Sequence, residues 1–195
     1  MRRYPARAMY NQLEDILRSI TMQLRSAIAA DANKPLRVNG ASSSLQRANG
    51  WARQVSAELA SVLLSTLGLA ATIEWHVRQF QTCTGIPCEL TINNAAGFEL
   101  PEDYAAAIFD IYNEALSNVA RHAAASHVAI VLTITPHEVS LVVADNGVGL
   151  GNEAPASGAG GLAVIRARAQ AYKGCSEVAG ARNGGTTVTV SLPIS

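Results

Sequence analysis

The sequence predicts an α+β protein: an N-terminal antiparallel helix pair, followed by an α/β domain whose mixed, antiparallel-rich sheet carries helices on one face. Three observations predict it. Apolar residues recur at helical spacing through residues 9–65. Short runs of alternating apolar and polar residues mark strands in the second half, and two longer helical patterns lie between those runs. A length of 195 residues with 49% hydrophobic content is enough to bury a core.

Leu13, Leu17, Ile20, Leu24 and Ile28 form the seam of a first helix across Met9–Ala30. The run DANKPLRVNGASSS, from Asp31 to Ser44, carries Pro35, Gly40 and three serines and reads as a polar connection, with Ser44 as N-cap of the next helix. Leu45, Ala48, Ala52, Val55, Leu59 and Val62 then mark a second stripe. A pair this short has an apolar face that needs a cover. Either a second chain supplies it, giving a dimeric four-helix bundle through helices 9–30 and 45–65, or the second half of the same chain does. After Gly68 a third helix is expected across Ala71–Gln81, stopping before Gly85 and Pro87. CELTI (Cys88–Ile92) reads as a strand. Pro101 opens a long helix through Tyr104, Ile108, Ile111, Tyr112, Ala115, Leu116 and Val119 that ends near Ser126. The runs His127–Ile134 and Glu138–Asp145 flank Pro136-His137 as a hairpin. A helix over Leu162–Tyr172 and strands at Ser176–Val178 and Thr186–Leu192 complete the chain. The expected division is a helix pair over 1–66, a linker helix over 67–87 and the α/β domain over 88–195.

Composition narrows the function. Fifteen Lys+Arg balance 15 Asp+Glu, which argues against a nucleic-acid partner held by bulk phosphate attraction. Three cysteines, Cys83, Cys88 and Cys175, make neither a disulfide framework nor a four-ligand zinc site. No apolar run approaches the roughly 20 residues of a membrane helix. Arg2, Arg3 and Arg7 run into Asn11, Gln12, Glu14 and Asp15 and not into a signal-peptide apolar stretch. A soluble, cytoplasmic chain is expected.

Four patches of the second half carry chemistry. On the long helix, Glu114, Asn118 and His122 stand four apart and share one stripe, apart from the packing residues Tyr112, Ala115 and Val119. The Asn118 amide oxygen suits Mg²⁺, which takes few protein ligands beside substrate phosphates, and Arg121 and His122 are phosphate donors. A solvated helix face gives the same pattern. Asp145-Asn146-Gly147-Val148-Gly149 ends an apolar strand, so a carboxylate able to accept from an exocyclic amine enters a loop whose glycines let backbone approach a ligand. An ordinary Asp/Gly turn reads alike. Gly151 to Gly161, with Pro155, Ser157, Gly158 and Gly160, holds no large apolar group and opens into a helix whose N-terminus suits phosphate, although a flexible connection reads alike. Gly184-Gly185-Thr186-Thr187 precedes the last strand, where a Thr hydroxyl such as that of Thr186 could support the Asp145 carboxylate or a bridging water; an ordinary strand-entry turn reads alike.

In this order the four patches resemble the ATP-binding domain of the GHKL superfamily, shared by gyrase-type ATPases and sensor histidine kinases. NEALSNVARHA (Asn113–Ala123) resembles its N box, DNGVGL (Asp145–Leu150) its G1 box, GAGGLAVIRARA (Gly158–Ala169) its G2 region and GGTTVTVSLP (Gly184–Pro193) its closing strand. LGLAATIEWHVRQFQTCTGIPCEL (Leu67–Leu90) resembles the linker of nitrate-sensor-like histidine kinases, so the resemblance spans nearly the whole chain. It implies ATP and Mg²⁺ as cofactors, Asn118 as metal ligand and Asp145 on the adenine amino group. Gly147 and Gly149 shape the pocket, and Gly158, Gly160, Gly161 and Leu162 belong to the lid and the helix entry. Arg121, His122 and Thr186 complete the nucleotide site, and Glu114 matches the acid that activates water in the ATPase relatives. It also implies dimerisation and a response regulator as partner.

The helix pair departs from that family. Its first helix presents a His-Asp pair, the histidine accepting the phosphoryl group. Here NQLEDILRSITMQL (Asn11–Leu24) puts Glu14 at the histidine position and Asp15 at the acid, and all four histidines, His76, His122, His127 and His137, lie outside both helices. An ionised Glu14 repels a γ-phosphate. Ala60-Ser61 replaces the usual Arg-Pro of the second helix and Ser65-Thr66 two acids. Phosphoryl transfer within one chain is therefore doubtful, and a nucleotide-binding pseudokinase adaptor that heterodimerises with an intact kinase is the alternative. His76, beside Trp75, reads as a packing or surface residue, Trp51 and Trp75 as packing residues, and Cys83 and Cys88 as inert thiols.

Overall fold

The computed structural model describes residues 38–94, 97–149, 161–180 and 184–194, with side chains at Ala60 and from residue 62 onward. The expected helix Met9–Ala30, with Glu14 and Asp15, lies outside the described residues, as do Gly151, Gly158 and Gly160. The chain divides into two compact units, residues 1–66 and 67–195.

Helix α1 spans Val38–Thr84. This corrects one expectation: Ser44 lies inside the helix instead of capping it. The helix expected after Gly68 follows a break in the helical backbone at that residue. From Leu36 to Ile86 no proline removes a backbone donor, and Gly40 and the serines each weaken a helix by only about 1 kcal/mol or less, which does not stop it. The interruption falls at Gly68, whose φ of 80° and ψ of 174° are open to glycine and strained for other residues. The helix ends on Gly85 (φ 72°), whose N–H donates to the Gln81 carbonyl at 2.9 Å, a left-handed cap. Within residues 69–84, Leu69, Thr72, Ile73 and Val77 are buried at helical spacing, and the Thr72 hydroxyl is satisfied by the Gly68 carbonyl at 2.8 Å.

Strand β1 (Cys88–Asn93) is followed by α2 (Glu102–Asn118), which Pro101 opens with Glu102 and Asp103 in the first turn, where acids favour the dipole. The helix continues into a π-helical turn, Val119–Ala123, that leaves through Ala124 in the left-handed region (φ 47°). Strands β2 (Val128–Ile134) and β3 (Glu138–Asp145), helix α3 (Gly161–Ala171) and strands β4 (Cys175–Gly180) and β5 (Thr186–Pro193) follow. The sheet order is β1-β2-β3-β5-β4. β1 runs parallel to β2 with α2 as the crossover, and every other neighbour pair is antiparallel.

Alternation decides what faces the helices. Val128, Ile130, Leu132 and Ile134 of β2, Val139, Leu141 and Val143 of β3, and Val188, Val190 and Leu192 of β5 are buried. Their register places them in rows, Ile130–Val143–Val188 and Leu132–Leu141–Val190. Against these rows pack Ile108, Ile111, Tyr112, Ala115 and Leu116 of α2 and Ile165 and Ala169 of α3, all under 3% exposed. α3 runs antiparallel along α2: Gly161 abuts Glu114 and Asn118, Arg168 pairs with Asp110 at 2.6 Å, and the Tyr172 ring meets Tyr104 edge-on at 4.8 Å.

Candidate nucleotide site

The inward rows of the sheet continue one residue past the core. In β3 the series Val139, Leu141, Val143 is extended by Asp145, paired with fully buried Val128; in β5 the series Leu192, Val190, Val188 is extended by Thr186. Period-two geometry therefore turns the Asp145 carboxylate and the Thr186 hydroxyl toward the helical layer where the apolar core ends. Both are partly buried. The carboxylate is oriented by its own loop, since Asp145 Oδ1 accepts from the Gly147 N–H at 2.8 Å, which leaves Oδ2 as the outward acceptor.

Three glycine contacts draw the patches together. A Cβ at Gly147 would overlap the Ala123 carbonyl oxygen, and the adjacent Val148 N–H donates to that carbonyl at 2.8 Å, so the loop lies directly on the end of the π-helical turn. Gly185, at φ 94°, lies so close to the Asp145 carbonyl that a side chain would overlap it, and Gly149, at φ 77°, faces the Gly185 carbonyl with 3.1 Å for a Cβ. Gly161 at the start of α3 has no room for a Cβ against Glu114 Oε1, and the Asn118 amide nitrogen stands 3.1 Å from the same point. Asn118 and Ala123 lie within about 8 Å along one helix, so Glu114, Asn118, Asp145, Gly147, Gly149, Gly161, Leu162 and Thr186 occupy one end of the domain.

The Asn118 amide is the distinctive polar group here. Its Nδ2 is buried with no hydrogen-bond partner among the described residues, as is Asn113 Oδ1. Buried amides are ordinarily paired. Rotation about the last side-chain bond exchanges amide nitrogen and oxygen, so the same position can offer a hard oxygen to a cation. Glu114 adds a carboxylate beside it. The residues thus fit Mg²⁺ held by few protein ligands together with a phosphate chain.

Glu114 and Asn118 stand on α2, and His122 lies in the π-helical turn that follows it and is exposed. Arg121, also in that turn and exposed, donates from Nε to the Ser117 hydroxyl at 2.9 Å. Sequence reasoning missed Asn146, whose side chain ties the Asp145 loop to Ser126 and His127; its position in an Asp-Asn-Gly triplet, where Asn side chains mimic backbone, was the available signal. His76 packs as expected, edge-on to Phe109 (5.8 Å) and Tyr112 (5.4 Å). Its Nδ1 is hydrogen-bonded to the Tyr112 hydroxyl at 3.2 Å, the tautomer deciding the direction, and burial holds its pKa below the ordinary value. Cys88 is pushed up by burial, while Cys83 and Cys175 are exposed.

Residues 103–195 match the family described as histidine kinase-, DNA gyrase B-, and HSP90-like ATPase. Among curated proteins the chain is 32% identical over 143 residues to the signal transduction histidine-protein kinase/phosphatase DegS of Brevibacillus brevis, covering 73% of this chain and 37% of that protein. It is 31% identical over 129 residues to the nitrate/nitrite sensor protein NarX of Escherichia coli, covering 66% and 21%. The sensor histidine kinase LiaS of Bacillus subtilis is 28% identical, covering 97% of this chain and 53% of that protein. The chain thus spans between a fifth and about half of these relatives. Among solved structures, the blue-light activated histidine kinase of Erythrobacter litoralis EL346 superposes with a TM-score of 0.62 at 18% identity, covering 95% of this chain and 59% of that one, a likeness of fold. The second half of this chain is an ATPase domain of the histidine kinase, gyrase B and HSP90 type. Over most of its length the chain is similar to proteins named as sensor histidine kinases. Among the described residues no helix is long and apolar enough to cross a membrane.

Proposed function

We propose that the chain binds ATP with Mg²⁺ at the junction of α2, the Asp145 loop and the start of α3, and acts as a cytoplasmic histidine-kinase-class protein of a two-component pathway. The observation that carries this reading is Gly161 seated on Glu114 beside the unpaired Asn118 amide. Asp145 accepts the exocyclic amine of adenine through Oδ2, and the Thr186 hydroxyl supports that carboxylate directly or through water. Gly147 and Gly149 keep the loop thin enough for the base to lie against backbone. Asn118 supplies an amide oxygen to the metal. The first N–H groups of α3, from Gly161 and Leu162, face the phosphates, Gly158 and Gly160 belong to the lid that the family resemblance implies, and Arg121 and His122 add donors. Glu114 is the candidate base that orients the attacking group. When bound, Mg·ATP supplies the γ-phosphoryl group with its charge partly neutralised.

Glu14 sets the direction of transfer. A carboxylate at the histidine position is ionised near pH 7 and repels the γ-phosphate, so the acceptor belongs to another protein: a partner kinase's histidine or a response regulator. The same residue favours a second reading, an adaptor that binds nucleotide and pairs through helices 9–30 and 45–65 with an intact kinase. Titration with ATP in the presence and absence of Mg²⁺ tests the site. Asp145→Asn is expected to abolish binding and Asn118→Ala to remove chiefly its metal-dependent part; unchanged titrations in both variants contradict the assignment. Labelled ATP mixed with this chain, a histidine-bearing kinase fragment and a regulator separates the two readings, because the adaptor binds nucleotide without labelling any chain.

A further inference from the structure

We propose that Asn146 is a positioning residue: a clamp that fixes the Asp145 carboxylate in register with α2. The consequence for nucleotide rests on the ATP-binding reading, whereas the clamp itself does not. The β2–β3 ladder stops at the pair Val128–Asp145, and the chain leaves α2 through a left-handed residue, Ala124. The N–H groups of Ser126 and His127 fall between those two elements, outside helix and ladder. Asn146 Oδ1 accepts both, each at 2.9 Å. Its Nδ2 donates to the Ser126 hydroxyl at 3.0 Å, and its own N–H donates to the His127 carbonyl at 3.3 Å. One side chain thereby prolongs the strand pairing past its last backbone pair and pulls the loop onto the segment that follows the helix.

Asn146 is exposed, and water could satisfy each of these groups separately, so solvation alone does not require one residue to gather them. Gathering them matters for what lies on either side. One residue earlier, Asp145 has Oδ1 committed to the Gly147 N–H at 2.8 Å. Two residues later, Val148 donates to Ala123 at 2.8 Å. With the clamp in place, the carboxylate and the Asn118 amide are fixed to one helix. Without it, among the described residues the Val148–Ala123 bond and the Gly147 contact are left to hold the loop on the helix end, and the carboxylate swings relative to the metal end of the site.

The clamp acts on the base end, which separates it from general destabilisation. In the full chain, Asn146→Ala is expected to weaken ATP, ADP and adenosine by the same factor, about 10-fold, as for loss of one well-oriented hydrogen bond. The ratio of affinities with and without Mg²⁺ is expected to stay at the wild-type value. Asn146→Asp keeps both acceptor bonds and is expected to return adenosine affinity to within about 3-fold of wild type. Amide hydrogen exchange in the nucleotide-free chain reads the clamp without any ligand: Ser126 and His127 are slowed in wild type and in Asn146→Asp, and exchange at loop rates in Asn146→Ala. Wild-type nucleotide affinity in Asn146→Ala, or unprotected Ser126 and His127 amides in wild type, overturns the proposal. A wild-type chain that binds no adenine nucleotide yet protects those two amides overturns the ATP reading and leaves the clamp standing. If Asn146→Ala does not fold, wild type and Asn146→Asp still decide through exchange.

Discussion

Replacing Gly147 by alanine puts the contact between the Asp145 loop and α2 to a direct test. The added methyl would overlap the Ala123 carbonyl oxygen and stand 2.7 Å from its carbon and 2.9 Å from the Ala123 Cβ. Two of these three atoms are backbone, so no side-chain rotation relieves the overlap; the loop must lift away, which stretches the Val148–Ala123 hydrogen bond of 2.8 Å. Overpacking costs about 1–3 kcal/mol, the lost bond about 1 kcal/mol, and the stiffer unfolded chain returns about 0.4–1 kcal/mol. The net loss is about 2 kcal/mol, a fall in Tm of about 6–10 °C for a domain of this size. Two further alanines calibrate the argument. At Gly161 the obstacle is the far end of the Glu114 side chain, which can rotate, so the stability cost is under about 1 kcal/mol while Glu114 leaves its place. At Gly180 nothing lies within 4 Å, and the change should stay within about 0.5 kcal/mol. Thermal and urea melts of the three variants read the order directly. A Gly147→Ala protein as stable as wild type, or less affected than Gly180→Ala, would refute the reasoning.

Two further outcomes follow from other parts of the fold. Burial lowers the His76 pKa below 6.5, so the unfolded chain takes up that proton more readily; this contribution is complete above pH 6.5 and is lost as the pH falls from there through the folded value. His76→Gln is expected to flatten the decline in Tm between about pH 7 and pH 5 relative to wild type; an equal decline in both proteins counts against it. Ala124 is exposed and sits at φ 47°, so Ala124→Gly should relieve left-handed strain and raise stability by up to about 1 kcal/mol in urea melts, where a loss would mean the π-helical turn exits differently.

Legibility followed locality. Strand β3 runs from Glu138 to Asp145, the bounds its alternation predicts, because a half-buried strand writes its period into sequence. β4 was expected only over Ser176–Val178, yet pairing with β5 carries it from Cys175 to Gly180, residues with little strand preference of their own. α1 began earlier than its serines suggested, because weak propensity slows a helix and only a missing donor stops it. The π-helical turn had no signature: Val-Ala-Arg-His-Ala fits an α-helix equally well, and the close docking of Gly147 and Val148 on Ala123 accompanies the wider turn. Asp145 and Asn118 could be named as candidates from their positions at a strand end and on a helix face, but nothing local showed that Gly185 packs against the one and Gly161 against the other.

The amino-acid order by itself determined where helices and strands form and which polar groups stand at their ends, because burial period, prolines and glycines act over a few residues. Tertiary structure decided the rest. The sheet order β1-β2-β3-β5-β4 sets the last strand against the third, which brings Gly185 to Asp145, and the antiparallel return of α3 along α2 brings Gly161 to Glu114 and Asn118. Those approaches join residues some 40 positions apart, and only the closing of the shared core between sheet and helices fixes their distance.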